Sequence, residues 1–317
     1  MSIIDVLFFF FSIFGQLQLD FWTDPSTIRP VDVMVPRDFT SEFKGMLNKR
    51  ELYYKVLRQD LQDDVDNDLA EAMRALQKKA RIGIQTLDDF DYSIYHPFDE
   101  IQQWATDVAN EYSFVTKFKF GETYEGREIG ALEIAAPADA LASDPKPVVY
   151  FEGGIHAREW ISPATVMFFT GKLLEMYNNG DADARRVLGM FDLHIVPVST
   201  EMATSLLGRI SAAELPAESE NQLAAAAAMA AAMNSKHSVA GGYIHGPSAR
   251  LLYEASGASN DYGFASTPAA TYTYVVELRD TGEYGFVLPA DQIVPSGEES
   301  YDGVIALLDY VINNDYN

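Results

Sequence analysis

Two short stretches of the chain hold side chains able to do chemistry. In the first, the apolar run Val148-Val149-Tyr150-Phe151 leads into Glu152-Gly153-Gly154-Ile155-His156-Ala157-Arg158-Glu159-Trp160. Two glycines after a strand permit a tight turn. His156 and Glu159, three apart, then fall on one side of a helical turn or tight loop. An imidazole nitrogen and a carboxylate oxygen are both donors that Zn²⁺ accepts; the same spacing also makes an ordinary surface ion pair. The second stretch is Tyr274-Val275-Val276-Glu277-Leu278-Arg279-Asp280-Thr281-Gly282. A glutamate closing an apolar strand is either a general base held in a dry site or one half of an ion pair at the strand end. Both blocks end strand-like runs, and open α/β sheets gather function at the carboxyl ends of their strands. His156, Glu159 and Glu277 are therefore expected to converge. Of the other histidines, His194 sits inside the strand-like run Leu193 to Ile195 and reads as structural. His237 and His245, beside Gly241-Gly242, are weaker candidates for a metal.

The elements that must position these residues follow from composition and pattern. The 317 residues are 48% apolar, enough for a sizeable core, which excludes a disordered chain, a collagen and a coiled-coil rod. A net charge of −24 disfavours nucleic acid and anionic membrane as partners. No cysteine is present, so disulfides, thiolate zinc sites and thiol nucleophiles are excluded. The apolar run Val6 to Phe14 is shorter than the roughly 20 residues of a membrane span. It fits the core of a signal peptide, giving a signal-like segment over residues 1–18, with a buried strand as the alternative. Residues 31–35 and 53–61 read as strands, Phe39, Phe43, Met46 and Leu47 as a helix face, and 60–77 as an acidic helix closed by Lys78, Lys79 and Arg81. That outlines a small domain over 19–89, whose basic end is either a trypsin-like cleavage site or a plain helix terminus. Residues 90–317 read as α/β. Strands are expected at 129–136, 147–152, 192–198 and 272–279, and helices at 97–111, 162–178, 221–235 and 298–313, covering both faces of a sheet. The run Ala224 to Ala232 is a good helix former that should bury little.

Taken together, these stretches resemble the zinc metallocarboxypeptidases of the digestive carboxypeptidase A/B family. The likeness rests on Gly153 through Pro163, on Leu252-Tyr253-Glu254-Ala255-Ser256-Gly257, and on Glu277 through Gly282 with Tyr284-Gly285-Phe286. Leu19-Asp20-Phe21-Trp22 and Val31 to Pro36 resemble that family's activation segment. The resemblance implies a mixed central sheet flanked by helices, preceded by a small α+β activation domain. It implies one Zn²⁺ per chain, with His156 and Glu159 as two of its three ligands and Glu277 as the general base. Zinc would polarise the scissile carbonyl and acidify its water. Tyr253 would cap the substrate's C-terminal residue, Arg158 would touch substrate further from the scissile bond, and Phe286 would line the pocket. Asn260 occupies the position that sets side-chain preference; being neutral, it suits uncharged C-terminal side chains. Peptide or protein C-termini would be the substrate, a trypsin-like protease the activator, and the protein a secreted monomer.

The sequence departs from that family at one place. A third ligand (a His followed by Ser), an Asn-Arg pair for the substrate carboxylate and a further Arg belong between the run Asp192 to Val198 and the run Gln222 to Asn234. Here Ser199 to Asn221 holds one arginine, Arg209, and no histidine. The catalytic domain thus reads as shortened by several dozen residues near 198–201, and the activation domain as lacking a leading strand and helix before Leu19. An impaired carboxypeptidase is expected; a non-catalytic peptide- or inhibitor-binding relative and a poorly folding splice form are the alternatives.

Overall fold

A computed structural model describes residues 17–23, 30–82, 90–199, 219–236, 241–252, 258–266 and 269–316. The signal-like run, Arg209, His237 and Tyr253 lie outside the described residues. By its internal contacts the chain divides into two units, Met1–Asp64 and Val65–Asn317.

In the first unit, β1 (Asp20–Phe21) pairs antiparallel with β2 (Val33–Met34), and α1 (Thr40–Lys49) follows. Phe43 and Leu47, one turn apart on α1, bury against Leu17 and Leu19. β2 stops short of Pro36, which has no N–H to give a ladder. The strand expected at 53–61 does not form. Its apolar residues have no face to cover, and Tyr53 is 94% exposed. The acidic helix is present as α2 (Leu61–Ile82), which runs across the division between the units; Asp60 Oδ1 accepts from the Gln62 amide at its start (3.1 Å).

The second unit holds the anticipated mixed α/β sheet. Along the chain come α3 (Phe98–Glu111), β3 (Val115–Glu122), β4 (Glu128–Ile134) and β5 (Val148–Glu152). They are followed by α4 (Ile161–Asn178), α5 (Ala182–Met190) and β6 (Asp192–Val196). The strand order is β3-β4-β6-β5, with β5 parallel to β6 and the other pairs antiparallel. Period-two alternation sorts the central strands. Leu132 and Ile134 of β4 stand opposite Ile195 and Leu193 of β6 and are fully buried. They pack on Trp104 and Val108 of α3, Leu173 of α4 and Val187 of α5. Full burial of each such side chain contributes about 1.5–3 kcal/mol. On the other face, Glu133 and Tyr150 both stand opposite His194. Lys146 anchors the start of β5, donating to the carbonyls of Ala136 (2.6 Å) and Leu188 (3.0 Å) and pairing with Asp192 (2.8 Å).

Downstream lie α6 (Ser219–Lys236), α7 (Ser248–Leu251), α8 (Ser259–Ala265) and α9 (Ile293–Asp315). The alanine-rich α6 is better buried than its composition suggests. Ala225, Met229, Ala230 and Met233 are buried, and a Cβ on Gly303 of α9 would come within 2.7 Å of Met233 Cγ, so absence of side chain lets the two helices close up. Residues 272–279 do not form the expected strand. Alternation makes a strand only beside a partner, and the sheet ends at β5 with no described strand alongside 272–278. Side chains secure this segment instead: Tyr272 OH donates to Asp315 (2.8 Å) and Tyr274 OH to the Gln222 carbonyl (3.0 Å).

Candidate active site

The turn after β5 is fixed by its glycines. A Cβ on Gly153 would lie 2.9 Å from Val166 Cγ2 and 3.1 Å from the Pro197 carbonyl oxygen, and Gly154 has φ +64°. The chain can therefore press against both the end of β6 and the start of α4. Gly153 N–H donates to Val196 O (3.0 Å), Gly154 N–H to Ser162 Oγ (3.0 Å), and the buried Ser199 donates through Oγ to Gly153 O (3.1 Å). The next turn closes with Glu159 N–H donating to His156 O (3.1 Å). It brings His156 Nδ1 to 3.0 Å from Glu159 Oε1, with the imidazole largely open to solvent.

Glu277 feels the charges of both members of this pair. Its carboxyl is held above the ordinary glutamate range, first by partial loss of solvent and then by the nearby Glu159 charge, with His156 acting in the opposite sense. The ion pair with Arg279 that the sequence also allowed is not formed. Arg279 Nε donates to both oxygens of Glu299 (2.9 Å each) and Nη1 to Gln292 Oε1 (2.8 Å); Tyr243 OH donates to Glu299 Oε2 (2.7 Å). Glu299 is fully buried on α9, so Arg279 is committed to it. Asp280 accepts from the Gly282 and Tyr284 amides (3.0 and 2.8 Å), shaping the turn that follows.

The remaining candidates are dispersed. Arg158 lies over the Phe286 ring, its guanidinium carbon 3.9 Å from the centroid. Asn260, on α8, has its Oδ1 buried without a hydrogen-bond partner. His194 stays on the sheet, 3.5 Å from Glu133 and beside the Phe118 ring, as a structural residue. His245 is exposed and joins no metal-capable cluster among the described residues.

Ligand atoms at two corners of a tetrahedral zinc site stand about 3.3 Å apart, from bonds of about 2.0–2.1 Å, so the His156–Glu159 spacing suits two corners. A catalytic site needs three protein ligands, and no group of three or more His, Asp or Glu able to hold a metal occurs among the described residues. The described residues therefore do not make up a complete zinc site.

A cleft of about 270 Å³ opens beside the pair, walled by Tyr95, Trp160 and, on α2, Asp68 and Leu69. Tyr95 meets Trp160 edge-on and donates to the Leu288 carbonyl (2.7 Å). Trp160 belongs to the stretch 153–163, whereas Tyr95, Asp68 and Leu69 carry no local signature. His96 also lines the cleft, but its nitrogens are engaged by Glu100 (2.8 Å) and the Asp91 carbonyl (2.7 Å).

Comparison with known proteins bears on this site. The family model described as zinc carboxypeptidase matches residues 101–200 and 203–303, and that described as carboxypeptidase activation peptide matches 9–68. Carboxypeptidase A1 of Bos taurus is 27% identical over 390 aligned positions, covering 95% of this chain and 89% of the relative. Carboxypeptidase B of Homo sapiens is 26% identical over 391, covering 94% and 88%. Both alignments are longer than the 317 residues of the chain, so part of each relative has no counterpart here. In fold, the chain resembles thrombin activatable fibrinolysis inhibitor (TM-score 0.79, 19% identity, covering 96% of this chain and 94% of that one). It also resembles carboxypeptidase A from Helicoverpa armigera (TM-score 0.73, 20% identity, covering 100% and 96%).

Proposed function

Because this chain belongs to the zinc carboxypeptidase family, we propose that it is a secreted carboxypeptidase zymogen, monomeric and directed at peptide C-termini, whose zinc site lacks one protein ligand and whose turnover is poor. One observation carries this reading: His156 Nδ1 and Glu159 Oε1 lie 3.0 Å apart in the turn after β5, and no third His, Asp or Glu joins them as a metal-capable group among the described residues. The family match breaks between residues 200 and 203, and this supports a lost segment near 198–201 that would have supplied the third.

In this proposal His156 and Glu159 hold whatever metal binds, and Glu277 is the proton carrier, its raised pKa matching that task. Arg158 and Phe286 line the substrate side as a stacked pair, with Tyr253 capping the substrate terminus. Asn260, neutral and with a spare acceptor, suits uncharged C-terminal side chains. The activation-peptide match and the α2 residues in the cleft wall support a removable N-terminal segment released by a trypsin-like protease.

The test is zinc content after dialysis, measured with kcat/KM on a peptide substrate ending in a hydrophobic residue. Loss of a direct ligand should cost well beyond the roughly 10–100-fold typical of outer-shell changes, so zinc well below one per chain and turnover weaker than bovine carboxypeptidase A1 by more than about 100-fold are expected. One tightly held zinc with turnover equal to that relative's would refute the proposal.

A further inference from the structure

The sheet ends abruptly at β5. This strand is hydrogen-bonded to β6 on one side, and among the described residues no backbone group pairs with its other side. Exposed edges template further strands, and proteins ordinarily blunt them with lysine, proline or a bulge. β5, Val-Val-Tyr-Phe-Glu, has none of these within it. The nearest lysine, Lys146, is turned inward onto Ala136, Leu188 and Asp192 and guards nothing. Val148 and Tyr150 are 55% and 44% exposed.

A second unpaired stretch accompanies the first. Residues 272–278 are assigned to no ladder, their amides have no backbone partner among the described residues, and Val275 and Val276 are exposed.

We infer that the free edge of β5 is a docking strand, to which an extended polypeptide with alternating cationic and apolar residues adds as a further strand. Charge selects that occupant. Glu152 closes β5, Glu159 lies in the turn just beyond it, and the whole chain carries −24. A second copy would bring the same acidic edge against itself, whereas lysine or arginine side chains would meet Glu152. Apolar side chains of the incoming strand, pointing to the other face, would continue the half-buried Val149 and Phe151. Strand addition draws affinity from main-chain hydrogen bonds and selectivity from alternate side chains.

The experiment uses the full chain and a fluorescent peptide, acetyl-Lys-Val-Lys-Val-Lys-Val-Lys-amide, read by anisotropy. The amide terminus removes the carboxylate a carboxypeptidase needs, so the outcome is independent of zinc content and turnover. Saturable binding is expected, weakened at least tenfold by N-methylation of alternate peptide amides in one of the two phases. Val148→Lys, at a solvent-facing position, should also weaken it at least tenfold with unchanged circular dichroism. Binding indifferent to both changes, equal binding of the glutamate counterpart of the peptide, or absence of binding would overturn the inference. So would concentration-dependent dimerisation in sedimentation that Val148→Lys abolishes, since a second copy would then occupy the edge.

Discussion

Glu277 holds its proton more tightly in the folded protein than in an unfolded chain, because partial desolvation and the Glu159 charge both oppose ionisation. The folded state therefore binds more protons than the unfolded one, and this group's contribution to stability falls as pH rises through its folded pKa. With metal removed by chelator, the wild-type thermal midpoint should decline relative to Glu277→Gln as pH climbs just above the ordinary carboxylate range. Parallel curves for the two proteins would show that Glu277 feels neither neighbour. The pairing of His156 with Glu159 was legible in the sequence because one turn closes it, with three residues of spacing and glycines ahead. The commitment of Arg279 to Glu299 was not, since the partner lies on α9 and only tertiary packing brings it near. Asn260 and Tyr95 were equally hard to weigh, because burial and cleft walls leave no mark on local spacing.

Elements were legible where their own periodicity decided the matter. α3 shows Ile101, Trp104, Ala105 and Val108 on one face, and β4 and β6 are short apolar runs buried along most of their length. The misses at 53–61 and 272–279 share a cause: a strand is completed by its neighbour, and neither segment has one among the described residues. α6 was undervalued because alanine buries little area by itself, yet its Met229 and Met233 pack closely where Gly303 of α9 has no side chain. α9 is similarly close to α4. A Cβ at Gly297 would overlap the Phe168 ring and lie 3.0 Å from Phe168 Cβ, so a stiff aromatic must move. Gly297→Ala should destabilise the protein by about 1–3 kcal/mol, outweighing the roughly 1 kcal/mol that alanine gains by helix propensity. Chemical denaturation checks this; an unchanged midpoint would mean that α4 and α9 sit further apart.

For the whole molecule, the basic end of α2, Lys78, Lys79 and Arg81, is the entry for a trypsin-like protease that the sequence suggests. Limited trypsin digestion should leave a stable fragment beginning between Lys79 and Phe90. First cuts at Lys117, Lys119 or Arg127 would argue against that boundary, the first of these being tied down by its bonds to the Gln102 carbonyl (2.9 Å) and Thr106 (3.0 Å). The four-stranded sheet and its helices α3, α4 and α5 all come from one unbroken stretch, residues 98–196, whereas α6 and α9 arrive from beyond it. During synthesis the sheet and three of its covering helices leave the ribosome before residues 199–317 have all been translated. Any lesion downstream of residue 198 would therefore strike late, at the docking of α9 onto an already formed partner. A chain stalled there would hold its sheet while displaying the Phe169 and Leu173 surface that Tyr301 and Leu308 should cover, the kind of apolar face by which chaperones recognise unfinished proteins.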